Sequence, residues 1–442
     1  MSDGNKNNRD HFWIPDTEVE FVKHEPTARP KKLDIDHFQH GNQLSLQFNQ
    51  IKDKHKKKKT PISDELMIFK VSLSEDEQID SRGSHETMFN SNKLKINAIL
   101  KSNEAIVSTS TKEFDNLNSK LQKYIKAKGE SQDFFQHFKS FSTIENSDIQ
   151  TEQLVKNKKL EKNVDVQITL LPKLDKNIYN KMVEYLLNSI EELNGVIGED
   201  GIYSLSDNTP VIRVILPSSG IDKLTDQEII LKAEPSPFFD VSENNKGSLM
   251  DISTLPVTEE FDIDSLPLVC ILDNGVNLPS NIDDCIADRW IADGITSYSA
   301  EHGTKVASRA IFGDDLDKQV KDQKLIPKTR VIDAIIHDGI EPLYEGTLIK
   351  RIKSAINDIK LATTTFCLSF NAKNSIGDLS VGNLAYEIDC LCREGVNFVI
   401  PTGNHSLWSV YDELEMILDD SSSRLSAPGE SFYNGPINLD TK

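Results

Sequence analysis

From Leu266 onward, short apolar runs of strand length alternate with longer stretches of helical period, and this alternation most constrains the fold available to the chain. LVCIL (268–272) is a continuous apolar run, as expected of a strand buried on both faces. A helix is expected to open near Glu301, and VIDAII (331–336) reads as a second strand. Leu348, Ile349, Ile352, Ala355, Ile356 and Ile359 then share one helical face. TTFCLSF is a third strand, a helix with Leu384, Ala385, Ile388, Leu391 and Cys392 on one face stops at Gly395, and NFVI is a fourth. Such alternation implies a doubly wound parallel sheet covered by helices on both faces, with ligands gathering at the carboxyl ends of its strands.

A chain of 442 residues exceeds what one core usually serves, so two or three domains are expected. Residues 1–60 are polar, interrupted by Pro15, Pro26 and Pro30, and read as a disordered arm. Its basic run, Lys52 to Lys59, has no aromatic residues interleaved for base stacking and reads as a solvated linker. Residues 61–160 read as an α+β unit, with strands LMIFKVSL, KLKINAILKS and AIVSTS and a helix carrying Phe114, Leu117, Leu121 and Ile125. Residues 161–250 read as a second one, with strands VDVQITLLP and VIRVILP around a helix apolar at Met182, Leu186, Ile190 and Leu193. The polar, acidic stretch from Glu243 to Asp264 marks the main boundary, leaving 251–442 as the last domain.

The formal net charge of −20 disfavours nucleic acid or an anionic membrane as partner. The opening residues MSDGNKNNRD lack the pattern of a secretory signal, and no run approaches a membrane span. The five cysteines, Cys270, Cys285, Cys367, Cys390 and Cys392, are odd in number and lack metal-ligand spacing. The expectation is therefore a cytoplasmic protein, with neither a metal nor a cofactor.

Three polar residues fall where this architecture reserves space for chemistry. Asp273 ends the first strand in Asp273-Asn274-Gly275, His302 opens a helix, and Asn404 follows the fourth strand in Gly403-Asn404. Singly each is ordinary: Asp-Asn-Gly is turn chemistry, and a histidine at a helix start or a Gly-Asn loop is common. Together, in this order, they resemble the subtilisin family of serine peptidases, with its Asp-x-Gly, His-Gly-Thr-x-Val-Ala and Gly-Asn motifs. The match His302-Gly303-Thr304-Lys305-Val306-Ala307 is the most specific signal, and the 29-residue Asp-to-His gap (302 − 273) is near the family's, roughly 32.

The resemblance covers the chain from Leu266 to its end and implies a subtilisin-like serine endopeptidase acting on polypeptides. In it Asp273 and His302 would be catalytic and Asn404 would stabilise the oxyanion, beside Gly403. Ser369 aligns with the segment that pairs with substrate backbone, although Asn371 stands where the family prefers glycine. A helix N-terminus disfavours the imidazolium and keeps His302 available as a base. No Gly-Thr-Ser-x-Ala occurs, and Ser431 lies only 27 residues after Asn404 (431 − 404), so the chain holds no nucleophile. The family's spacing projects it to roughly position 459, with the sheet incomplete at its C-terminal side. By position and content the upstream α+β units are similar to subtilisin propeptides. The alternative is an inactive scaffold of this family that binds peptides or a partner. Relatives with long N-terminal regions accompany an AAA-type ATPase in phage-defence gene pairs, which implies that ATPase as a possible partner.

Overall fold

The computed structural model describes residues 35–75, 77–80, 85–126, 130–240, 255–257, 262–372 and 381–400. The first unit comprises α1 (His37–Lys57), β1 (Leu66–Leu73), α2 (His85–Ser91), β2 (Lys95–Lys101), β3 (Glu104–Ser110), α3 (Thr111–Lys126) and β4 (Phe138–Ser142). Its antiparallel sheet has the order β2-β3-β1-β4. Along β1, Met67, Phe69, Val71 and Leu73 face the unit's own helices, while Ile68 points the other way.

Helix α1 corrects the reading of residues 1–60 as a disordered arm, of which 1–34 lie outside the described residues. Asp36 caps it, its carboxylate accepting from the backbone of Phe38 at 3.0 Å and of Gln39 at 3.2 Å. Leu44, Phe48 and Ile51 are buried, and Phe48 stacks on Phe114 with ring centres 4.9 Å apart. This thin apolar stripe is diluted by Gln, Asn and Lys, so tertiary packing rather than local periodicity makes the helix. The basic run is likewise not a free linker: Lys52 pairs with Asp115, Lys54 with Glu145 and Lys58 with Asp226, at 2.6, 2.7 and 2.6 Å.

The second unit contains α4 (Asn146–Ile149), α5 (Glu152–Leu160), β5 (Asn163–Leu170), α6 (Lys176–Glu192), β6 (Val196–Ser204), β7 (Pro210–Pro217), α7 (Ser218–Thr225) and β8 (Ile230–Pro235). Its antiparallel order, β6-β7-β5-β8, repeats that of the first. Helix α5 falls inside 61–160 but packs on α7 and β8 of this second unit. Ile68 and Ile106 of the first sheet share a core with Met182 and Leu186 of α6, so one unit's sheet rests on the next unit's helices.

The remainder comprises β9 (Phe238–Asp240), β10 (Leu268–Asp273), β11 (Ile286–Ile291), α8 (Glu301–Phe312), α9 (Leu316–Lys321), β12 (Arg330–Ile335), β13 (Leu343–Tyr344), α10 (Glu345–Ile359), β14 (Thr365–Leu368), β15 (Asn371–Ala372), α11 (Asn383–Arg393) and β16 (Asn397–Val399). A five-stranded parallel sheet runs β11-β12-β10-β14-β16. Cys270, Leu272, Ile332 and Ala334 share a core with α10 and Leu391 of α11, whereas Ile271 and Val331 pack with Ala307 and Ile311 of α8. Helices thus cover both faces. Strand β11 was not legible, because this edge strand mixes Asp288 and Arg289 with its apolar residues.

The second unit's sheet lies on α10 and α11 through Leu205, Val211 and Ile349. Polar groups cross the same boundary. Asn383 donates to the Thr169 hydroxyl at 3.0 Å, and buried Glu387 accepts from the Ser206 hydroxyl at 2.7 Å. Among the described residues no helix is long and apolar enough to cross a membrane.

Candidate active site

Strand β10 delivers Asp273 to the carboxyl end of the sheet, where its side chain is fully buried. The Asn274 backbone N–H donates to Asp273 Oδ1 at 2.7 Å. His302, the second residue of α8, points Nδ1 at the same carboxylate, 2.9 Å from Oδ1 and 2.8 Å from Oδ2. A carboxylate in this position holds the proton on Nδ1 and makes Nε2 the basic nitrogen of the neutral ring. Two residues 29 positions apart (302 − 273) are therefore joined as an imidazole–carboxylate pair.

Close backbone approach makes the join possible. A Cβ on Gly303 would stand 2.3 Å from the Gly275 carbonyl oxygen, so only glycine lets α8 come this near the turn. Gly275 itself has φ +109°, a conformation side chains resist.

The turn is also anchored from behind, a feature missed in the sequence. Buried Asp333 accepts from the Val276 backbone at 3.0 Å and from Arg289 Nε at 2.8 Å, and Arg289 donates to the Val276 carbonyl at 2.8 Å. Burial raises the Asp333 carboxyl above its ordinary range; the Val276 and Arg289 hydrogen bonds oppose that rise and the charge of Asp273 adds to it. The available signal was an acid inside the apolar run VIDAII.

Just past the carboxyl end of β14 lies a second sheet, of three short strands. β9 runs antiparallel between β13 and β15, with Phe239 opposite both Leu343 and Ala372 and Asp240 opposite Asn371. Phe239 is 4% exposed and joins a core that includes Leu343 and Phe370. Asn371 therefore does not prevent strand pairing here. Half-buried Ser369 sits between β14 and β15, one step beyond the Leu272–Leu368 pairing and thus level with Asp273. Gly403, Asn404 and Ser431 lie outside the described residues.

Burial pushes the thiols of Cys270 and Cys367 up, away from the reactive thiolate. Among the described residues no group of three or more His, Cys, Asp or Glu side chains is placed to hold a metal ion. On the α8 side of the sheet, Val269, Val306, Ala310, Cys367 and Val399 line an apolar cleft of about 550 Å³. A scan against protein-family models and a search of curated proteins return no match.

Proposed function

We propose that this chain carries the peptide groove and the acid–base pair of a subtilisin-like serine endopeptidase, whose nucleophilic serine is encoded after residue 442. The observation that carries the reading is the Asp273–His302 pair, held at 2.8 and 2.9 Å at the sheet's carboxyl end, next to a groove that accepts an extended strand. In the reaction the serine Oγ forms a bond to the scissile carbonyl carbon while His302 Nε2 takes its proton. Asp273 stabilises the resulting imidazolium, and His302 then passes the proton to the departing amine as the peptide C–N bond breaks. Asn404 would donate to the oxyanion, an interaction whose loss costs on the order of 100 to 1000-fold in turnover.

In this reading the second unit acts as a built-in inhibitor. Its sheet sits on α10 and α11, and the strand that leaves it, β9, occupies the groove in place of substrate. The test is peptide hydrolysis by the product of the complete reading frame carrying Phe239→Ala, which frees the groove from β9, with His302→Ala added alongside. Hydrolysis abolished by His302→Ala supports the reading, and hydrolysis unaffected by it ends the reading. A second reading, a scaffold that holds peptides without cutting them, draws on the same occupied groove. It predicts peptide binding that survives His302→Ala and no hydrolysis by either protein.

A further inference from the structure

Helix α8 begins without a cap of its own. Its N-cap residue, Ala300, has no side-chain acceptor and adopts a left-handed conformation, φ 54°, ψ 2°. The missing acceptor comes from another part of the chain: Asn274 Oδ1 accepts from the Gly303 backbone N–H at 2.9 Å. Asn274 is 1% exposed, and each of its polar groups is engaged at this junction. Its Nδ2 donates to the Ser299 hydroxyl at 2.7 Å, its carbonyl accepts from the Ala300 N–H at 3.3 Å, and its own N–H donates to Asp273 at 2.7 Å. Gly339 walls the pair, since a Cβ there would lie 2.3 Å from Ser299 Oγ and 2.6 Å from Asn274 Nδ2.

We propose that Asn274 is a positioning residue: it caps the helix that bears His302 from the strand end that bears Asp273, so that acid and base are held as one unit. The middle position of an Asp-x-Gly turn could hold many small residues. Of the common turn residues, a carboxamide offers both an acceptor for the helix N–H and a donor for Ser299. Aspartate would lack the donor and would set a second carboxylate beside Asp273, while serine is too short to span to both partners. The inference rests on the dyad reading above, and the experiment separates the two.

The readout is the strongly deshielded Nδ1–H proton of His302 in isotope-labelled 442-residue protein, assigned by its disappearance in Asp273→Asn. Asn274→Ala is expected to abolish this resonance. Ile356→Val, a conservative core substitution on α10, is expected to leave it in place. Ser299→Ala keeps the cap but removes its anchor, and should speed exchange of this proton with solvent by about tenfold, the equivalent of a lost helix cap. It also serves if Asn274→Ala does not fold. An unaltered resonance in Asn274→Ala, or unaltered exchange in Ser299→Ala, overturns the proposal. If the unsubstituted protein shows no resonance that Asp273→Asn removes, the dyad reading itself fails and the inference falls with it.

Discussion

Gln167 Nε2 donates to Glu345 Oε2 at 2.6 Å, tying the second α+β unit to the first residue of α10. The same buried carboxylate accepts from the Leu384 backbone at 3.1 Å, at the start of α11, and from Tyr203 at 3.3 Å. Glu345 thus knits the second α+β unit to both helices on which it rests. Burial, reinforced by the charge of Glu234, raises its carboxyl above the usual range.

This has a pH consequence. A raised carboxyl favours the folded state most when protonated, so its contribution is fully present below the unfolded glutamate value. It is lost as pH rises through the folded value. The melting temperature of the unsubstituted protein should therefore fall relative to Glu345→Gln as pH rises from about 5 to about 7. Asp333, also raised, is common to both proteins and cancels. A gap that does not change with pH contradicts the assignment.

Gly303→Ala tests the close approach of α8 to the turn. The new methyl would meet the Gly275 carbonyl at 2.3 Å, a backbone atom with nowhere to go. The helix must shift, costing about 1–3 kcal/mol by the usual scale of overpacking. The expected result is a lowered melting temperature together with loss of the His302 Nδ1–H resonance; an unperturbed resonance would show that the contact is not needed.

Phe239→Ala tests the occupied groove. Removing a buried phenylalanine costs about 3–5 kcal/mol, and β9 has only three residues to hold it between β13 and β15. The strand, rather than the whole domain, should give way. A labelled peptide of sequence Pro-Ser-Pro-Phe-Phe-Asp, matching residues 235–240, should then bind the variant and not the unsubstituted chain, read by fluorescence anisotropy. Equal binding by both proteins would mean that β9 does not block the groove.

Much of the parallel sheet was legible because each central strand is a dense apolar run and each helix shows a continuous stripe. LVCIL became β10, VIDAII became β12, and the stripe from Leu348 to Ile359 became the buried face of α10. The pairing of Asp273 with His302 was legible through motif order. What escaped depends on contacts between distant segments. β9, broken by Pro235 and Pro237 just before it, is a strand only because β13 and β15 flank it. α1 is helical because Phe48 finds Phe114 and Phe141, and Asn274 looked like turn chemistry until α8 was placed beside it. The shared sheet order of the two upstream units was invisible because antiparallel register leaves no repeat in the residues themselves.

The proposed function makes His302, oriented by Asp273, the base of a peptide-bond hydrolase. The most direct measurement is the turnover of a peptide substrate by the complete reading-frame product carrying Phe239→Ala, which frees the groove from β9, and by the same protein with His302→Ala added, at equal folded concentration. Hydrolysis is expected from the former and a fall on the order of 10,000-fold or more in the latter, as when the base of a catalytic triad is removed. Equal rates from the two proteins would contradict it.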